Sequence, residues 1–124
     1  MKLFDPISWL LDKGALHDVF VESISLDVSQ QTMAIIVEDI NANFASATGY
    51  RPVRCELLFQ SCKAIWLDVE PADGIAFSDA KIVQDGEHYK FEAALRYGAG
   101  SEFERRSSIF VSFRELTVVE MDTD

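Results

Sequence analysis

Residues 88–97 alternate without a break, with Tyr89, Phe91, Ala93, Leu95 and Tyr97 on one side and His88, Lys90, Glu92, Ala94 and Arg96 on the other. A repeat of two sends successive side chains to opposite faces of an extended strand, whereas a helix gathers its apolar residues every third or fourth position. The same repeat governs most of the chain beyond Gly14. A body made of half-buried strands follows.

Phe20, Ile24, Leu26 and Val28 oppose Ser23, Ser25 and Asp27, with Glu22 discordant in the apolar set. Ser29, Gln30 and Gln31 turn the chain into a second strand over residues 32–40. There Met33, Ile35 and Val37 alternate with Ala34, Ile36 and Glu38, both faces being rather apolar, which suits a strand inside a sheet. Residues 39–52 read as the longest irregular segment. Val53, Cys55, Leu57 and Phe59 begin a third strand, whose alternation slips over residues 60–62 and allows either a bulge or a tight turn. Ile65, Leu67 and Val69 resume it.

Pro71, Ala72, Asp73 and Gly74 form a turn before a strand over residues 75–83, and Asp85-Gly86 is a hairpin corner. Residues 98–101 end the 88–97 strand, residues 102–106 open the final pairing, and residues 108–119 read as one long last strand. Residues 119–124 read as a frayed tail. Ahead of these strands a helix is expected over residues 5–14. Asp5 caps it, Pro6 suits its first position, Gly14 ends it, and Ile7, Leu10 and Leu11 share a face flanked by Trp9.

The expected fold is mainly β: a two-layer antiparallel β-sandwich of about six to eight strands with one short N-terminal helix, in a single domain spanning residues 1–124. A parallel sheet needs crossover helices for which the chain has no room. A single open sheet under the helix is the main rival, and it leaves one apolar face of residues 32–40 uncovered.

Acidic residues outnumber basic ones 21 to 11, a formal charge of −10, and residues 1–50 hold 7 acidic and 2 basic groups. Asp5, Asp12, Asp18, Glu22, Asp27, Glu38 and Asp39 crowd that first third. Such a surface repels nucleic acid and anionic membranes and favours a basic protein partner. The one basic doublet, Arg105-Arg106, sits among Glu102 and Glu104. Asp5, Pro6 and Asp12 break any signal-peptide pattern in the opening residues, and no apolar run is long enough to span a bilayer. The cytoplasm is the expected location, and two cysteines agree with a reducing compartment.

His17-Asp18 is the first candidate site, because a carboxylate beside an imidazole can orient it for general-base or metal chemistry. Adjacent residues in a strand point apart, however, so a structural turn is the favoured reading. His88 reads as an exposed hairpin residue. Cys55 and Cys62 read as a core thiol and a semi-buried thiol rather than a redox pair, with Arg54 and Lys63 adjacent but of unknown facing. Asp68, Glu70 and Asp73 are considered for a weak surface calcium site. Trp66, Tyr89 and Tyr97 are considered for a sugar-stacking platform on one sheet. No cofactor is expected.

The stretches LHDVFVESISLDVSQQTMAIIVEDI (16–40) and CELLFQSCKAIWLDVE (55–70) resemble a loose pattern of small bacterial β-rich domains of unknown function. In these a Leu/Trp-His-Asp segment precedes two strands, and a mid-domain strand carries a slip. Some look like immunity proteins that neutralise toxins delivered by competing bacteria. The resemblance covers residues 16–70, brings no catalytic residues, and gives residues 39–52 no counterpart.

The expected function is therefore a non-catalytic, immunity-like protein-binding module with an acidic surface, its candidate binding residues being His17, Asp18, Glu38, Asp39, Trp66 and Tyr89. A carbohydrate-binding accessory domain using the strand aromatics is the alternative, and a hydrolase using His17 and carboxylates a further one. A homo-oligomer through the edge of residues 108–119 is also considered.

Overall fold

The computed structural model describes residues 1–97 and 107–122. It is an antiparallel β-sandwich of two four-stranded sheets with one short N-terminal helix. Helix α1 (Pro6–Asp12) starts as its sequence dictates: Asp5 accepts from the Ser8 amide at 3.1 Å and the Ser8 hydroxyl at 2.8 Å, and Pro6 stands in the first turn. Leu10 is buried, while Ile7 and Trp9 lie against the core.

Strands β1 (Val21–Asp27), β2 (Thr32–Val37), β3 (Arg54–Gln60) and β8 (Glu115–Met121) form the first sheet in that order. The second has the order β4 (Ala64–Asp68), β7 (Ser107–Phe113), β6 (His88–Tyr97), β5 (Ile75–Asp85). As its two apolar faces suggest, β2 is an interior strand between β1 and β3. Glu22, discordant with the alternation, lies in the register shift between Val21 and Ser23. A bulge there turns one residue out of the apolar set.

Two expectations are corrected. Residues 108–119 are not one strand: β7 and β8 belong to different sheets, with a bend at Arg114 between them. The inward side chains are Ile109, Val111 and Phe113 before the bend and Leu116 and Val118 after it, a change of parity that one straight strand cannot make. The tail is also shorter than expected, since Val119, Glu120 and Met121 pair with Glu56, Cys55 and Arg54. Residues 98–106 and 123–124, which carry the expected break, the opening of the final pairing, the basic doublet and the last residues, lie outside the described residues.

The slip at residues 60–62 is resolved by the same bend. β3 runs into β4 just as β7 runs into β8, so one antiparallel ladder passes from sheet to sheet at a common corner. Gln60 pairs with Glu115 before it and Ala64 with Ser112 after it, so the β3–β4 side carries one residue more. Ser61, at φ 52°, takes the turn. The Lys63 amide donates to Ser112 O at 2.8 Å and the Arg114 amide to Gln60 O at 3.1 Å, so the ladder is bridged across the bend.

The core fills the inside of this angle. Phe59 and Phe113 cross edge to face with centroids 5.0 Å apart, Phe59 and Phe91 stand at 5.1 Å, and Phe77 and Phe91 at 6.3 Å. All four rings are fully buried. Because Phe59 touches two rings of the opposite sheet, it joins the layers. Phe59→Ala is expected to cost about 3–5 kcal/mol, measured as a lowered midpoint in urea unfolding; a loss below about 1 kcal/mol contradicts this packing.

Candidate functional site

The His17-Asp18 pair falls where the chain leaves the helix. Gly14, Ala15, Leu16 and Asp18 all have left-handed backbones, at φ 64°, 56°, 60° and 66°. A Cβ on Gly14 would meet the end of the Asn43 side chain, which would have to move aside, and the left-handed backbone there favours glycine. This tight path lets neighbouring side chains meet, contrary to the extended-strand expectation: His17 Nε2 stands 3.5 Å from Asp18 Oδ2.

Two further bonds define the pair. His17 Nδ1 is 2.8 Å from Ser78 O, and since a carbonyl only accepts, Nδ1 is the donor in that bond. The Asp18 carboxylate accepts from Arg96 on β6. Meanwhile the Asp18 amide donates to Phe77 O at 3.0 Å and the Phe77 amide to Val19 O at 2.9 Å, so residues 18–20 extend the second sheet beyond β5. Ser78 is able to reach His17 because it lies in the register shift between Phe77 and Asp79. The cluster thus fastens the first strand segment to β5 and β6.

Asp39 is also employed internally. It accepts from the Asn41 amide at 3.0 Å, the Val53 amide at 3.0 Å and the Tyr50 hydroxyl, closing the 39–53 excursion on itself. The Asp39 bond raises the Tyr50 phenol above its ordinary value. Glu38, by contrast, is exposed and has no cation within ion-pair reach among the described residues.

The aromatic platform does not assemble. Trp66 is 67% exposed on the outer face of its sheet, opposite Phe110. Tyr89 lies on the inner side, stacked on Phe113 at 5.7 Å, and Tyr97 bonds to Ser107 and receives the Glu70 amide at 2.8 Å. Nor do Asp68, Glu70 and Asp73 form the calcium site considered for them: no group of three His, Cys, Asp or Glu side chains able to hold a metal occurs among the described residues. Both cysteines are buried and free, and burial pushes the Cys55 thiol up to about 12. That thiol is protonated at neutral pH, which suits a core role.

A different feature, missed by sequence reasoning, joins several of these residues. Between β1 and the chain from β4 into β5 runs a trench of about 560 Å³, walled by Ile24 and Leu26 on one side and Leu67 and Val69 on the other, with Ile75 and Leu95 among its lining residues. Through Leu26 and Leu67 it continues into a second stretch of about 400 Å³ containing Val28 and Ile65. Through Val21, Glu22 and Ala72 it continues the other way into about 320 Å³ lined by Phe20, Glu38 and Asp73. Its walls are apolar and its ends carry Glu22, Glu38, Asp73 and Asp27. Lys63 is the one cation among its lining residues.

The expected oligomer edge is not available as expected. β7 lies inside its sheet, and the outer side of β8 is taken by the N-terminus, where Leu3 N donates to Leu116 O at 2.8 Å and Val118 N to Met1 O at 2.9 Å. No described helix is long and apolar enough to cross a membrane. No family model, curated protein or solved structure matches the chain.

Glu22 at the trench end is held by Arg54, whose Nε and Nη2 stand 2.7 and 3.0 Å from its two carboxylate oxygens. Arg54 hydrogen bonding lowers the Glu22 carboxyl below its ordinary 4.5. Because the folded value is the lower one, this pair stabilises the fold above pH 4.5 and the contribution fades as pH falls through the folded value. A carboxyl-detected NMR titration is expected to place Glu22 below 4.5 and to return it toward that value in Arg54→Gln. An unmoved midpoint contradicts the pairing.

Proposed function

We propose that this protein is a non-enzymatic binding module that offers an acidic, apolar-walled face to a basic protein partner. The observation that carries the reading is the trench, where four carboxylates, of which Glu22 is paired with Arg54, and one lysine surround apolar walls. Apolar walls supply area to bury, and the surplus of negative charge selects and steers a cationic partner. The formal charge of −10 acts in the same direction at longer range. The resemblance of residues 16–70 to immunity-like bacterial domains makes a basic toxin the kind of partner proposed, met in the cytoplasm.

The reading as a non-enzyme is supported by the uses to which the chemical groups are put. His17 and Asp18 are tied to Ser78 and Arg96 and lie outside the trench, and the thiols are buried. A hydrolase built on His17 would need a cleft beside the imidazole. One observation favours the second reading of carbohydrate binding: Trp66 lies exposed beside Phe110, which lines a shallow depression of about 410 Å³ together with Asp79, Lys81 and Glu92. No second exposed ring among the described residues of that face flanks Trp66, and the trench reading is the stronger.

The test is capture of partners from the source cell and its competitors with the intact protein and with Glu38→Lys/Asp73→Lys. A basic protein retained at low salt, released at high salt and bound about tenfold more weakly by the double variant is the expected result. Retention indifferent to salt and to both substitutions contradicts it, as does glycan binding that disappears in Trp66→Ala.

A further inference from the structure

We infer that the trench is a strand-addition site: an extended segment of the partner, alternating apolar and basic side chains, lies along the free edge of β1. This rests on the binding reading above and says what part of the partner is recognised, and how.

The first argument is which edges are covered. The outer side of β8 is taken by Met1 and Leu3, and the beginning of β5 by residues 18–20. Among the described residues β1 pairs with β2 alone and β4 with β7 alone, and these two edges border the trench. A strand edge carries a row of unpaired amides and carbonyls, and proteins ordinarily protect it with lysine, proline or a bulge. The β1 bulge ends at Ser23, and residues 23–27 then pair regularly and contain neither lysine nor proline. Leu26 and Val28 are left 47% and 84% exposed.

The second argument is the pattern presented to an added strand. Ile24 and Leu26 line the trench, so a partner strand paired with β1 turns alternate side chains onto them and onto Leu67. Its other side chains lie over Ser23, Ser25 and Asp27. The two serines leave room for long side chains and Asp27 shares their side, while Glu38 and Asp73 stand at the far end of the trench. Lysine or arginine fits that side and glutamate is repelled. A second copy of this chain offering its own β1 would bring like charges together.

The probe is a capped synthetic peptide of about seven residues alternating lysine and valine, the length of β1. It is titrated into the isotopically labelled full chain. Expected are amide shifts confined to residues 21–28 and 64–69. Binding should weaken at least tenfold when lysine is replaced by glutamate, and likewise when alternate peptide nitrogens are methylated on the pairing edge. Leu26→Arg and Val28→Arg, both at exposed positions, should each weaken it similarly, while Val83→Arg, at an exposed apolar position on β5, leaves it unchanged.

Shifts located on another face, equal binding of the glutamate or methylated peptide, full binding by Leu26→Arg, or no binding at all overturns the inference. So does a doubling of mass with β1 shifts in the absence of peptide. Failure here is separable from failure of the binding reading. A basic partner captured through Glu38 and Asp73 but held undiminished by Leu26→Arg sinks strand addition alone. Peptide bound in the trench with no basic partner captured sinks the partner reading alone.

Discussion

The bend shared by residues 60–63 and 113–115 is the constraint on which this architecture depends. Without it, residues 54–68 and 107–121 would be one long, two-stranded ladder whose second strand turns Ile109, Val111 and Phe113 to one face and Leu116 and Val118 to the other, with neither face covered. With it, the same ladder supplies strands to both layers and folds its apolar face inward. The bridging bonds from Lys63 to Ser112 and from Arg114 to Gln60 keep the backbone satisfied through the turn, which matters because unpaired backbone groups in such a place are costly. Phe59 and Phe113, each one or two residues before the bend on its own strand, meet in the angle it makes.

The bend also decides which edges remain open. It fixes β7 inside the second sheet and leaves β4 at its border. The Cys62 amide donates to Gln31 O at 2.9 Å, which draws the β1–β2 turn to the same corner and brings the border of β1 beside that of β4. At the far end the chain from Asp18 to Phe20 joins β5, held by His17, Asp18 and Arg96. The trench is the gap between these two fastenings. The histidine that draws attention in the sequence thus helps to hold one end of the strand that walls the trench.

Much of this was legible in the chain. The 88–97 alternation, the β1–β2 hairpin, the Asp5 cap and the Asp85-Gly86 corner each follow from local residue chemistry, and each is found. The split of residues 108–119 was written there too, in the change from Ile109, Val111 and Phe113 to Leu116 and Val118. It was masked because Phe110 and Val119 lend apolar character to the opposite face. The left-handed run after Gly14 was less accessible, since Ala15 and Leu16 do not ordinarily favour it and only tertiary packing around buried Leu16 and Val19 sustains it. The trench was not legible at all. Ile24 and Leu67 are brought together by sheet order, and no local period reports whether a strand lies at a border.

Hydrogen exchange at single-residue resolution tests the shared corner most directly. If one ladder crosses between the layers, the Lys63 and Arg114 amides exchange as slowly as those of β3 and β7, because they are bridged across the bend. Fast exchange at both positions, at the rate of an open turn, would mean that β3–β8 and β4–β7 are separate ladders with no shared corner, contradicting the packing of the core and the shape of the trench.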